Sequence, residues 1–307
     1  MTEETTVSTE PFTEPVPDPF WVGLVDDAAT FPPGDAPLAA ALTTYADRAG
    51  EAARLVRSFV VRDTDLPQVP PGTPVSVVLT GGAGQVLGPA QLCARRGLPV
   101  AGLEIALRDV DDPAGNARRV VAAVDAARGE GVLDEDTAVF VELPAGDPTY
   151  SWLAAADEVA AAELRLKLRT GGLDPDAFPT PERLAAWVDA ALDRELAFKC
   201  TAGLHRALPH VDADGCAHHG FLTVLAATRV AFDGGSADDV VATLRRDDAT
   251  DLLALDLAGA RRWFTSFGSC SIDETLAGLE RDIEAFEEGE FPANFVYSTS
   301  RRATKAL

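Results

Sequence analysis

Lysine is nearly absent from this chain. Of its 26 basic residues only three are lysines, Lys167, Lys199 and Lys305. A high-GC genome that writes arginine by default explains most of that bias. Where arginine is the default cation, a retained lysine points to a task arginine cannot do, because only an amine can shed its proton and attack a carbonyl. Lys305 lies in a polar tail; Lys167 and Lys199 each sit in an apolar run.

Other shortages exclude whole classes of protein. The four cysteines (Cys93, Cys200, Cys216, Cys270) lack framework spacing, which argues for reduced thiols and against a disulfide scaffold. No apolar run approaches the ~18–20 residues needed to span a bilayer. Met1 to Asp18 has neither a basic start nor an apolar stretch, so no secretory signal is expected. Positive charge is short too. A formal net charge of −23 disfavours nucleic acid and anionic membrane surfaces as partners. The expectation is a cytoplasmic protein that handles a small anionic molecule, with a homo-oligomer allowed.

What is present is a globular chain of 307 residues, 47% hydrophobic. Short β-rich apolar runs alternate with stretches of helical period. The runs are Trp21–Val25, Leu55–Val61, Val75–Leu79, Val100–Leu107, Val139–Leu143, Leu164–Leu168, Leu196–Cys200 and Trp263–Phe267. Most are nearly continuous, as parallel strands covered on both faces require. Helices are expected at Pro37–Arg54, Ala114–Arg128, Trp152–Glu163 and Thr180–Arg194, the last opening on a Thr-Pro-Glu start signal. The link 62–74 is proline-rich and leaves room for a turn of helix.

Eight runs with helical crossovers predict an α/β fold, a (β/α)8 TIM-type barrel, with a doubly wound open sheet as the alternative. About 60 residues separate strands seven and eight, predicting a long helical insertion that includes Gly220–Phe232 and Ala237–Arg246. The expected organisation is an acidic arm over 1–18, the barrel over 19–290 and a tail over 291–307.

In such barrels the site gathers at the C-terminal strand ends. There the sequence offers Asp26 and Asp27, then Glu104, Glu142, Lys167-Leu168-Arg169-Thr170-Gly171-Gly172, Lys199 through His205, and the run up to Ser271. Two lysines on neighbouring strands, pointing into one barrel, would depress each other's pKa and leave a neutral amine near pH 7. Glu104 or Glu142 would then shuttle protons. Arg169 would hold an anionic group, and Asp27 and His205 would stand at the substrate. The alternative is that each lysine pairs with a glutamate or reaches outward to solvent. Thr170, Gly171, Gly172, Gly203, Gly268 and Ser269 would present backbone N–H groups to a phosphate or carboxylate. Ordinary turn chemistry explains such glycines equally well.

Lys167 to Gly171, Lys199 to Gly203 and Phe267-Gly268-Ser269-Cys270-Ser271 together resemble the last three strands of deoxyribose-phosphate aldolase. The resemblance covers roughly a sixth of the chain. It implies a class I, Schiff-base aldolase in which Lys167 is the nucleophile, Lys199 its pKa partner, and Gly203, Gly268 and Ser269 the phosphate binders. Three features depart from that pattern: Glu104 where the family has relay aspartates, Arg169 after the first lysine, and the long segment before strand eight. The opening Gly23 to Gly34 is similar to a set of bacterial proteins of unassigned activity and implies none.

All four histidines, His205, His210, His218 and His219, fall within fifteen residues, beside Asp212 and Cys216. That density opens a rival reading. In it, Glu104, Glu142, His205 and His219 ligate a divalent metal ion, and the enzyme is a lyase, isomerase or hydrolase. The aldolase reading needs no cofactor. A third reading is a non-catalytic barrel that binds an anion or a partner.

Overall fold

The computed structural model describes residues 20–212 and 215–282. The arm over 1–18 and the tail over 291–307 lie outside them. The strands are β1 (Val25–Asp27), β2 (Val56–Arg62), β3 (Val75–Val78), β4 (Val100–Ala106), β5 (Val139–Glu142), β6 (Arg165–Arg169) and β7 (Phe198–Thr201). A two-residue-per-arm antiparallel hairpin, β8 (His210–Val211) and β9 (Ala217–His218), precedes the last strand, β10 (Phe264–Ser269). Eight strands close into a barrel in the order β1-β10-β7-β6-β5-β4-β3-β2. Every barrel pairing is parallel. This is the expected (β/α)8 fold, and the open sheet is excluded.

Helices cover the outside: α1 (Leu38–Asp47), α2 (Gly50–Leu55), α3 (Leu87–Arg96), α4 (Pro113–Gly129), α5 (Tyr150–Ala161) and α6 (Pro181–Leu192). Between β7 and β10 run α7 (Phe221–Phe232), α8 (Ala237–Leu244), α9 (Ala249–Leu253) and α10 (Leu257–Ala260); α11 (Ile272–Asp282) follows β10. Of these, α7 is the true crossover. Its first eight residues, Phe221 to Thr228, are buried, and Phe221 stacks on Phe267 of β10 at 5.0 Å. The others form the expected helical insertion. Thr180 caps α6 by accepting from the Arg183 N–H, as its start signal predicts.

Several boundaries differ from the sequence expectation for local reasons. The first strand begins at Val25, because Gly23 takes a left-handed turn (φ +60°) and donates to the Arg54 carbonyl. Phe20, Trp21 and Leu24 are buried there without being strand. The helix expected over Pro37–Arg54 breaks between α1 and α2, where Arg48 turns extended and reaches Asp27 at 2.6 Å. Helix α3 escaped the pattern because Gly88 and Pro89 mask its start. The 62–74 link holds one 3₁₀ segment, Asp63–Gln68, as expected.

Strand parity decides where the site lies. Residues facing the helices are apolar and almost wholly buried, such as Val77, Leu103, Ile105, Val141, Leu166, Leu168, Phe198 and Cys200. The alternate, inward positions carry Asp26, Ser58, Ser76, Glu104, Glu142, Lys167, Lys199 and Ser266. The apolar core therefore sits between strands and helices, and the barrel lumen is polar. Truncating Phe267→Ala would open a cavity in the outer core and should cost about 3–5 kcal/mol of unfolding free energy, measured by urea denaturation.

Candidate active site

Three neighbouring strands bring the charges to one level. In the sheet register Glu142 of β5 lies beside Lys167 of β6, and Lys167 beside Lys199 of β7. Glu104 projects from β4, and its carboxylate is shared: Oε1 accepts from Lys199 Nζ at 2.6 Å, Oε2 from Lys167 Nζ at 2.8 Å. Each lysine has a second acid. Lys167 Nζ stands 3.0 Å from Glu142 Oε2, and Lys199 Nζ donates to Asp26 Oδ2 at 2.6 Å.

The ends of this row are held by arginines. Glu142 Oε1 accepts from Arg169 Nε at 2.7 Å, while Asp26 Oδ1 accepts from Arg57 Nε at 3.1 Å. Asp26 also accepts from the Ser58 hydroxyl (2.6 Å) and the Ser266 hydroxyl (2.8 Å). The charges alternate along the lumen from Arg169 through Glu142, Lys167, Glu104, Lys199 and Asp26 to Arg57. Arg169 lies at the C-terminal mouth and its side chain is 40% exposed; Lys167 is 6% and Lys199 1% exposed.

Such burial would neutralise isolated charges, so the pairing decides the ionisation. For Glu104, burial favours the neutral acid, but the two ammonium groups prevail and hold its pKa down at about 2. Glu142 is likewise lowered against its burial, by Lys167 and Arg169. Asp26 is driven well below the carboxylate range, as Lys199 and Arg57 outweigh its burial. Burial pulls Lys167 down as well, yet Glu104 and Glu142 outweigh it and raise the amine above its ordinary value of 10.5.

This corrects the expectation that the two lysines depress each other. They do share one lumen, but Glu104 stands between them, and in the resting site Lys167 is a held ammonium. Arg169, expected to hold an anionic group, is paired with Glu142 through Nε and Nη2.

The remaining expected residues fall into distinct groups. Asp27 faces away from the lysines, pairing with Arg48 and accepting from the Ala29 N–H. Thr170 is buried and donates to the Ala202 carbonyl at 2.6 Å. Gly171 and Gly203 are required by close approach: a Cβ on the first would lie 2.8 Å from Gly203 Cα, and one on the second 2.6 Å from the Thr170 oxygen. Gly203 is also left-handed (φ +77°), as is Ala202 (φ +62°). A Cβ on Gly172 would meet Ala177 Cβ at 2.7 Å. Gly268 alone has room, since its nearest neighbour would be Thr201 Oγ1 at 3.7 Å. Ser269 is buried, turned to Thr275 Oγ1 (3.1 Å) and the Ser271 carbonyl (3.0 Å), with His205 Nδ1 at 3.5 Å.

The histidine segment forms a different group from the metal set expected. His219 Nε2 contacts the Pro179 carbonyl at 2.8 Å, and Glu104 and Glu142 are engaged by the lysines. Among the described residues, the side chains with the spacing of metal ligands are His210, Asp212 and His218, within 4.8 Å of one another. His218 fixes this group to the barrel rim through Nδ1 and the Gly203 carbonyl, 3.0 Å apart. Burial lowers the pKa of His205, His210 and His219.

Sequence reading offered Asp26 and Ser266 only as strand-end residues without a role, and missed Arg57, Ser58 and Ser76. A signal existed: each except Arg57 is a polar residue at an inward-parity position of a strand.

No family model and no curated protein sequence matches the chain. Among solved structures, a deoxyribose phosphate aldolase from Aeropyrum pernix, described as having a unique tetrameric structure, aligns over 88% of this chain and 92% of that one. The identity is 15% and the TM-score 0.49. No helix among the described residues is long and apolar enough to cross a membrane.

The network sets a pH dependence. Glu104's folded pKa lies below its ordinary 4.5, so its contribution to stability is full above about pH 4.5 and lost as pH falls toward about 2. Lys167, raised, contributes fully below 10.5 and loses that contribution only in stronger alkali. Glu104→Gln takes from each of two buried amines one of its two carboxylate partners and should cost about 3–5 kcal/mol at pH 7. Urea denaturation across pH 2–7 should show a shallower acid slope in the variant than in the wild type.

Proposed function

We propose that this barrel is a Schiff-base enzyme of the aldolase or lyase type, acting on a small carbonyl compound that carries a carboxylate or phosphate. The observation that carries the reading is the placement of Lys167: an almost buried amine within 3.0 Å of two carboxylates, one of which also pairs with the partly exposed Arg169. Lys167 is favoured over Lys199 because Lys199 lies deeper, clamped between Glu104 and Asp26.

A protonated lysine is no nucleophile, so the reading requires a trigger. An anionic substrate at the mouth would draw Arg169 from Glu142 into a bidentate pair. Glu142 would then lose a cation, and its affinity for a proton would rise. Substrate filling the mouth also excludes water, which penalises a charged pair relative to a neutral one. Both changes favour moving one proton from Lys167 Nζ to Glu142.

The neutral amine then attacks the carbonyl carbon; Glu142 gives its proton to the carbonyl oxygen and takes one from the attacking nitrogen, leaving a neutral carbinolamine. Glu142 returns its proton as water leaves, forming the iminium. Glu142, a carboxylate again, takes the proton of the substrate's β-hydroxyl; the carbon–carbon bond breaks, the hydroxyl carbon leaves as a carbonyl fragment, and the electron pair flows into the iminium to give an enamine. Lys199 and Glu104 hold the site's charge balance and keep Lys167 oriented. No metal or organic cofactor enters this scheme.

Borohydride reduction with candidate carbonyl acids and sugar phosphates, followed by peptide mass mapping, tests the reading. The expected result is one reduced adduct on Lys167, abolished in Lys167→Met and weakened at least tenfold in KM by Arg169→Gln. A substrate that turns over and leaves no trappable adduct on Lys167 would sink it.

A further inference from the structure

The opposite end of the barrel carries a second concentration of charge that the proposed chemistry leaves unused. A cleft of about 610 Å³ opens at the N-terminal ends of β2, β4, β5 and β6, bordered by Arg57, Asp134, Asp136, Thr137 and Arg165. That volume is in the range of small-molecule sites. Arg57 and Arg165 converge over one ring: their guanidinium carbons lie 5.9 and 5.8 Å from the centroid of Phe140.

Neither guanidinium is fully used. Arg57 gives its Nε to Asp26, but its Nη2 is buried with no hydrogen-bond partner. Arg165 has no carboxylate partner among the described residues; burial lowers its pKa, and the like charge of Arg57 adds to the effect. Two cations held together over an aromatic face, one with a buried unsatisfied donor, are a cost to the fold that a bound anion would remove.

We propose that this cleft is a binding site for a small anion, a phosphate or carboxylate group, held between Arg57 and Arg165. The rim sets its size. Asp134 and Asp136 are exposed and flank the opening, so an extended polyanion meets like charge while a compact anion passes to the guanidinium pair. The site is separate from the mouth, where Arg169 stands, and the proposal does not depend on the Schiff-base reading. Arg57 joins the two ends, since the same guanidinium holds Asp26 and through it Lys199.

Calorimetric titration with inorganic phosphate at low ionic strength, in wild type, Arg165→Gln and Arg169→Gln, distinguishes the sites. Arg165 makes no ion pair with the lumen network, so Arg165→Gln should fold normally. It should weaken phosphate binding at least tenfold, whereas Arg169→Gln should retain the site. Arginine Nε–H spectra of the wild type supply a readout that needs no variant: phosphate should shift the two signals that Arg57→Lys and Arg165→Lys remove. Wild-type affinity unchanged by Arg165→Gln, binding lost only in Arg169→Gln, or no phosphate-dependent shift of those two signals would each overturn the proposal.

Discussion

One carboxylate, Glu104, holds two buried ammonium groups, and the rest of the lumen is arranged around that fact. A barrel interior usually fills with branched apolar side chains. Here two lysines occupy it, and each would lose its charge or unfold the barrel without a counter-ion. Glu104 answers for both at 2.6 and 2.8 Å, and Asp26 and Glu142 extend the alternation outward to Arg57 and Arg169. Stability comes from the outer core between strands and helices; the lumen charges contribute geometry at near-balanced electrostatic cost.

That balance makes the resting site inert by design of its charges. Glu104 and Glu142 outweigh the burial of Lys167 and keep it protonated. Arg169 is the most exposed member of the row, so in the proposed reaction an arriving anion acts there first. A single residue, Glu142, links that arginine to the Lys167 amine. Lys199, deeper by one pairing, is held between Glu104 and Asp26. The same alternation ends at Arg57, which also borders the cleft at the other end of the barrel.

The barrel was legible because its strands read as short β-rich runs at regular spacing, with capped helices such as α6 between them. The run Trp263–Phe267 located the last strand to within two residues of Phe264–Ser269. The site was legible as far as residue type and parity reach. Lys167, Lys199, Glu104 and Glu142 are drawn together, as inward positions on adjacent strands require. What did not follow was the sign of the lysine shift, because parity says which face a side chain takes and not which charge stands between two others. Asp26 and Asp27 show the same limit: adjacent residues face opposite ways, and a start at Val25 fixes Asp26 inward. The glycines after β6 and β7 are explained by loops distant in sequence that pass so close that a Cβ on Gly171 or Gly203 would lie 2.8 or 2.6 Å from the other loop's backbone. His210 and His218 meet because a hairpin pairs them, and two-residue arms leave no periodicity to read.

The scarcity of lysine makes the central claim directly measurable. Protein labelled with ¹³C at the lysine ε-carbon carries three signals, for Lys167, Lys199 and Lys305, assigned by substitution. The account predicts that Lys167 gives the shift of an ammonium through neutral pH and up past 10 in the free protein, and that of an amine at pH 7 once an unreactive hydroxy-acid analogue occupies the mouth. A Lys167 signal that stays that of an ammonium with the analogue bound would contradict it.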